Sequence, residues 1–234
     1  MTETKKLGFA GSYKCDLILY LSRILLAAGK RVAIVDATDE QLFHYCLPLT
    51  SLSDCVFTYR DIDVYYRIKN EDDYRSTVKE EYDVLLIDAG FNRSMVEVLK
   101  RTDYCIFVTD PEIHNVHKLK DFISAFSGSA KQIEENNGAQ LVRIFRDMLQ
   151  GKINYKYISS VLDLPSPLNY IGEYVFLLDE TDRRQRLHCQ YDHIFKFNKL
   201  SKEYKMLFGD MLEVFFGMDR KQIKKAIRKA ERGR

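Results

Sequence analysis

Lys6-Leu-Gly-Phe-Ala-Gly-Ser-Tyr-Lys14-Cys-Asp16 is the stretch from which the fold is read. The apolar run Leu17–Ala28 follows it, then the pause Gly29-Lys30, then Arg31-Val-Ala-Ile-Val-Asp36. A short apolar segment, a glycine-bearing turn ending in lysine, a three-turn helix and a second apolar segment make one βαβ unit. Within the helix, Leu17, Ile18, Tyr20, Leu21, Ile24, Leu25 and Ala28 recur at i, i+3, i+4 and i+7, which gives one buried face that Gly29 closes as a C-cap. Leu7–Ala10 and Arg31–Asp36 are short and almost wholly apolar, as strands covered on both faces must be.

Working outward, Ala37–Thr50 carries no periodicity and reads as loop. Asp61–Ile68 alternates and predicts a strand, and the charged run Glu71–Glu81 predicts a helix. Tyr82-Asp-Val-Leu-Leu-Ile-Asp88-Ala-Gly90 is the clearest segment, with four apolar residues delivering an aspartate to a strand's end. Ser94–Arg101 reads as helix, Tyr104–Thr109 as strand, Pro111–Phe126 as helix opened by its proline, and Leu141–Phe145 as strand. A short helix at Tyr155–Leu162, a last strand at Tyr174–Leu178 and an amphipathic helix at Ser201–Phe216 complete the body. Arg183-Arg184-Gln-Arg186, after Asp179-Glu-Thr-Asp182, reads as a charged loop, either solvated or an anion or partner site near the sheet's carboxyl edge. Short links between strand and helix predict one doubly wound α/β domain over residues 1–217, with a mostly parallel sheet and helices on both faces. A basic helical tail over 218–234 follows.

Charge divides along that boundary. The whole chain carries +2, but Met218–Arg234 carries +6 and the body −4. A thin apolar stripe (Met218, Ile223, Ala226, Ile227, Ala230) opposes the basic residues, so a solvated helix, or weak electrostatic contact with membrane or nucleic acid, is expected there. Cys15, Cys46, Cys55, Cys105 and Cys189 form no C-x-x-C pair, which fits small buried side chains in a reducing cytoplasm. The polar start Met-Thr-Glu-Thr-Lys-Lys lacks an adjoining apolar core of a secretory signal. Glu112, His114 and His117 form an E-x-H-x-x-H pattern without a third ligand, so no metal site is expected.

In an open parallel sheet ligands sit beyond the carboxyl ends of the strands, so Asp36 and Asp88 are expected to face the same crevice as the turn Gly11-Ser12-Tyr13-Lys14. A glycine-bearing turn with lysine at a helix N-terminus is an arrangement suited to phosphate. With these segments and Val108-Thr-Asp-Pro-Glu112 placed, residues 5–215 resemble the ParA/MinD group of P-loop ATPases.

What that resemblance implies can be tested position by position, with the family's second lysine anchored on Lys14. The first lysine, which reaches a partner's nucleotide across a dimer, falls on Phe9. Glycines fall on Ala10, Gly11 and Tyr13, where bare amides should close on phosphate. The hydroxyl that ligates Mg²⁺ falls on Cys15, a soft thiol ill matched to a hard cation. The next hydroxyl falls on Asp16, read as a helix cap. Its charge is expected to oppose phosphate by ~4 kcal/mol per unit charge at 4 Å and an effective dielectric of 20. The residue that positions attacking water is Thr38, with Asp39 one position on. Asp88 stands at the Mg²⁺-side strand end, and the purine-reading Asn-Arg becomes Phe145-Arg146.

ATP with Mg²⁺ is therefore disfavoured, and Lys14, Asp36 and Asp88 read as a remnant charge cluster. Atypical members with irregular first loops, TadZ and CpaE, localise pilus machinery. The resemblance thus implies a homodimeric localisation scaffold for a pilus or secretion apparatus. A working ATPase and an ATP-dependent metabolic ligase are the alternatives.

Overall fold

The computed structural model describes residues 3–48, 55–79, 81–128, 138–163, 168–193 and 197–232. The opening βαβ unit forms as the periodicity requires: β1 Lys5–Gly11, α1 Cys15–Ala27 and β2 Val32–Asp36, with β2 wholly buried. The chain then makes a one-turn helix, α2 Phe43–Cys46, and an antiparallel hairpin of β3 Val56–Tyr59 and β4 Ile62–Tyr65. Neither α2 nor β3 was legible in the sequence. The alternation predicted over Asp61–Ile68 ends early, with Arg67 in the left-handed region at φ 63°.

Asn70 caps α3 Glu71–Thr77 by accepting from the Asp73 amide at 2.9 Å. Next come β5 Val84–Gly90, α4 Val96–Lys100, β6 Tyr104–Thr109, α5 Ile113–Gly128, β7 Gln140–Met148, α6 Tyr155–Leu162 and β8 Tyr170–Leu177. The segment expected to be a charged loop is a helix, α7 Glu180–Asp192, capped by Asp179, which accepts from the Asp182 amide at 2.8 Å. α8 Lys202–Phe216 and α9 Arg220–Arg232 end the described chain.

The eight strands lie in the order β3-β4-β2-β5-β1-β6-β7-β8, all parallel except β3. Alternate residues of the central strands feed two apolar layers. One contains α1, α2, α8 and α9, and the other α3 to α6. Consecutive strands diverge to opposite sides of β1, which leaves a crevice at the carboxyl ends of β1, β5 and β2. α9 packs along α1 and α8, and buries Ile223, Ala226 and Ala230 there. Among the described residues no helix is long and apolar enough to cross a membrane.

Candidate nucleotide crevice

β1 ends at Gly11 in the left-handed region, φ 108°, where a Cβ would overlap the Val108 carbonyl oxygen. Only glycine fits so close to β6. The contact continues one residue further, because the Ser12 amide donates to that carbonyl at 2.8 Å. The Ser12 hydroxyl accepts from the Asp110 amide at 3.3 Å. The first residue of the turn is therefore bonded to the neighbouring strand.

Lys14 is 1 % exposed and curls back over the turn. Its Nζ donates to the carbonyls of Gly11 at 3.0 Å and Ser12 at 3.1 Å, and lies 2.7 Å from Asp88 Oδ1. Asp88 Oδ1 also accepts from the Gly90 amide, while Oδ2 is buried without a hydrogen bond among the described residues. Asp36 stands beside Asp88 in register. Its carboxylate accepts from the Thr38 amide at 3.1 Å, the Thr38 hydroxyl at 2.6 Å and the Phe43 amide at 2.9 Å, which anchors the start of α2. Burial, reinforced by the Asp88 charge, pushes Asp36 up to about 6. Thr38 is thus committed to Asp36, and Asp39 is exposed on the loop outside.

Asp16 is not a helix cap. Lys14 occupies the N-cap position of α1 without a side-chain capping bond, and Asp16 turns inward. Arg146, at the end of β7, meets it with two bonds of 2.9 Å, and the Tyr204 hydroxyl of α8 donates to it at 2.7 Å. Burial alone would raise this carboxyl; the Arg146 guanidinium, with help from Tyr204, outweighs burial and holds it below its ordinary value. The expected repulsion of phosphate by Asp16 is corrected accordingly, since a bidentate arginine already neutralises the charge. Arg146 also donates to the Tyr13 carbonyl at 2.8 Å and lies 5.9 Å from the centre of the Tyr13 ring.

α7 closes the crevice from outside. Gln190 donates to the Tyr13 hydroxyl at 2.7 Å, the buried Cys189 sulfur lies 3.1 Å from the Tyr20 hydroxyl, and Arg186 meets Asp147 at 2.9 Å. Cys15 is fully buried, and burial pushes its thiol well up, so it is no anionic ligand. Tyr204, Gln190 and the Val108 carbonyl were missed in the sequence. The Asp179-x-x-Asp182 capping pair was the one local signal for α7.

The chain matches no protein-family model and no curated protein. Solved structures do match. A Borrelia burgdorferi plasmid partition protein bound to AMPPNP superposes with TM-score 0.57 at 14 % identity, over 92 % of this chain and 99 % of that one. The fold is that of the ParA/MinD ATPases. A Cyanothece McdA variant in complex with ATP gives TM-score 0.55 at 11 % identity, over 94 % of this chain and 99 % of its own. Aquifex aeolicus MinD in complex with MinC gives 0.54 at 12 %, over 98 % and 95 %.

A Mg²⁺–nucleotide pair is what a ParA/MinD crevice implies, and the donor set here does not fit one. The lysine that would meet a phosphate is held by Asp88 and two carbonyls. The Ser12 amide is bonded to β6, and a buried neutral thiol replaces the hydroxyl suited to a hard cation. The Tyr13 side chain is pinned to Gln190 at the mouth.

Proposed function

We propose that this chain is a ParA/MinD-fold scaffold that works without turning over nucleotide, and that it docks and localises components of a pilus or secretion apparatus. The observation that carries the first half is that the lysine and the acidic residue of the turn are each paired with a charge of this chain. Lys14 pairs with Asp88 at 2.7 Å with both side chains 1 % exposed, and Asp16 pairs with Arg146. A phosphate would have to displace a buried ion pair to reach Lys14, and breaking such a pair is costly. The localising role rests on the resemblance of the altered first turn to TadZ and CpaE. In this reading the chain acts as a homodimer, with residues 1–217 as the docking domain. Residues 218–234 serve as a basic face for weak contact with an anionic surface. The stripe that would insert into lipid is buried on α1 and α8, which favours contact through charge alone.

The second reading, a working ATPase, draws support from the nucleotide-bound relatives of this fold and from the presence of Asp36 and Asp88 at the strand ends. A metabolic ligase would need the same phosphate contacts. Thermal unfolding with millimolar Mg-ATP, Mg-ADP or neither separates them. A site occupied at 100 times its Kd adds ~2.7 kcal/mol of stability. The scaffold reading expects no shift in midpoint and no release of phosphate; a rise of several degrees with either nucleotide would overturn it.

A further inference from the structure

We propose that the outer edge of β8, with the cleft at its carboxyl end, is a docking site for an extended peptide segment that carries a lysine or arginine. The two edges of the sheet are unlike. β3 is four residues long, whereas β8 runs for eight residues, and no described strand pairs with its outer side. β8 has no proline, lysine or arginine, the usual devices that blunt an edge, and its one charged residue, Glu173, is bound to Arg143 at 2.8 Å. Ile171 (53 %), Val175 (38 %) and Leu177 (52 %) are exposed along it. An exposed row of this kind, beside backbone groups that no described strand pairs, is what strand addition uses: the main chain supplies affinity and alternate side chains supply selectivity.

The strand leads into a cleft of about 570 Å³ between β7, β8 and the first turns of α7 and α8. A register shift between Phe145 and Met148 separates the ends of β7 and β8 there. Four carboxylates line the cleft: Asp147, Asp179, Asp182 and Glu203. Among the described residues the lining holds one cation, Arg146, which Asp16 already neutralises; Arg186 of α7 pairs with Asp147 at 2.9 Å, so the surplus negative charge is that of Asp179, Asp182 and Glu203. A ligand with a positive side chain complements that charge. Arg146 supplies an independent pointer. It is 4 % exposed, and its Nε lies 3.5 Å from Asp147 Oδ2 but has no hydrogen-bond partner among the described residues. A buried donor left in this state calls for an acceptor, and a peptide carbonyl is one. An extended segment laid on β8 brings both groups, with its basic side chain reaching the carboxylates. This inference does not depend on the crevice being closed, and its test uses no nucleotide.

The test selects a phage-displayed random dodecapeptide library on the immobilised 234-residue chain, and measures selected peptides, labelled with fluorescein, by anisotropy. The expected result is enrichment of peptides with alternating apolar residues and a lysine or arginine, and affinity that weakens as salt rises. Val175→Lys on the edge and Glu203→Lys on the rim should each weaken binding at least tenfold. Both positions are exposed, so the unfolding midpoint of each variant should match the parent and separate lost binding from lost folding. Failure to enrich such peptides, or unchanged affinity in both variants, overturns the proposal. So does a dimer of the parent chain that Val175→Lys disperses, since that result assigns the edge to a second copy.

Discussion

Replacing Arg146 by methionine would leave the Asp16 carboxylate buried with the Tyr204 hydroxyl, at 2.7 Å, as its remaining partner. In the parent chain two bonds of 2.9 Å neutralise it, with Asp16 2 % and Arg146 4 % exposed. Removing one member of a buried pair costs about 3–5 kcal/mol, because the other charge stays out of water without compensation. In a chain of this size 1 kcal/mol moves Tm by roughly 2–4 °C, so the midpoint should fall by roughly 6–20 °C. The double variant Asp16→Asn/Arg146→Met buries no charge and should recover more than half of that loss.

Acidification supplies a second signature of the same pair. Asp16 is held below its ordinary pKa in the folded chain, so its stabilisation is present above ~3.9 and is lost only as pH falls through the lower folded value. The parent chain should therefore keep this contribution in full, with no change from this group, between pH 5 and 8. In Arg146→Met burial dominates, the carboxyl rises, and stability should return as pH drops and the proton binds. Urea denaturation followed by far-UV circular dichroism reads both effects. A loss below ~1 kcal/mol, or an Arg146→Met variant that gains nothing on acidification, would refute the claim that Arg146 neutralises a buried Asp16 carboxylate.

Other expectations follow from the same geometry. Asp36, raised from 3.8 to about 6, favours folding below its unfolded value and loses that contribution as pH rises through 6. The difference of about two pKa steps corresponds to roughly 3 kcal/mol, so the urea midpoint should climb between pH 7 and 4.5, and Asp36→Asn should flatten that climb. Gly11→Ala places a methyl on the Val108 carbonyl oxygen at a φ of 108° and should cost roughly 3 kcal/mol or more, seen as poor soluble yield or a midpoint lowered by several degrees. Tyr204→Phe removes one charge-assisted bond and should cost about 1.5–3 kcal/mol in the same denaturation assay. Gln190→Ala leaves the Tyr13 hydroxyl with Cys46 Sγ, 3.5 Å away, and does not touch Lys14, so titration with Mg-ATP should still show no binding heat.

Several parts of the fold were open to reading because they are local. β1, α1 and β2 follow from apolar runs and one 3.6-residue period, β5 from four consecutive aliphatic residues and β6 from a mixed aromatic and aliphatic run, both covered on two faces. α7 was misread because its inward side is Gln185, Cys189 and the half-buried Gln190, too polar to show a period against the charged residues around them. β3 and α2 are four residues each, below the length at which periodicity carries information.

The candidate crevice divides in the same way. From sequence alone came the positions: a lysine after a glycine turn, aspartates at two strand ends, an acidic residue and a tyrosine where bare amides and a hydroxyl belong. What each charge does was decided only in three dimensions, because the partners come from far along the chain. Arg146 is 130 residues from Asp16 and Tyr204 is 188, and they meet because β7 and α8 both reach the sheet's carboxyl edge. Sequence order names the ionisable groups of a chain. Packing sets which of them pair, and with that whether Lys14 and Asp16 stand free for a ligand or neutralise their own neighbours.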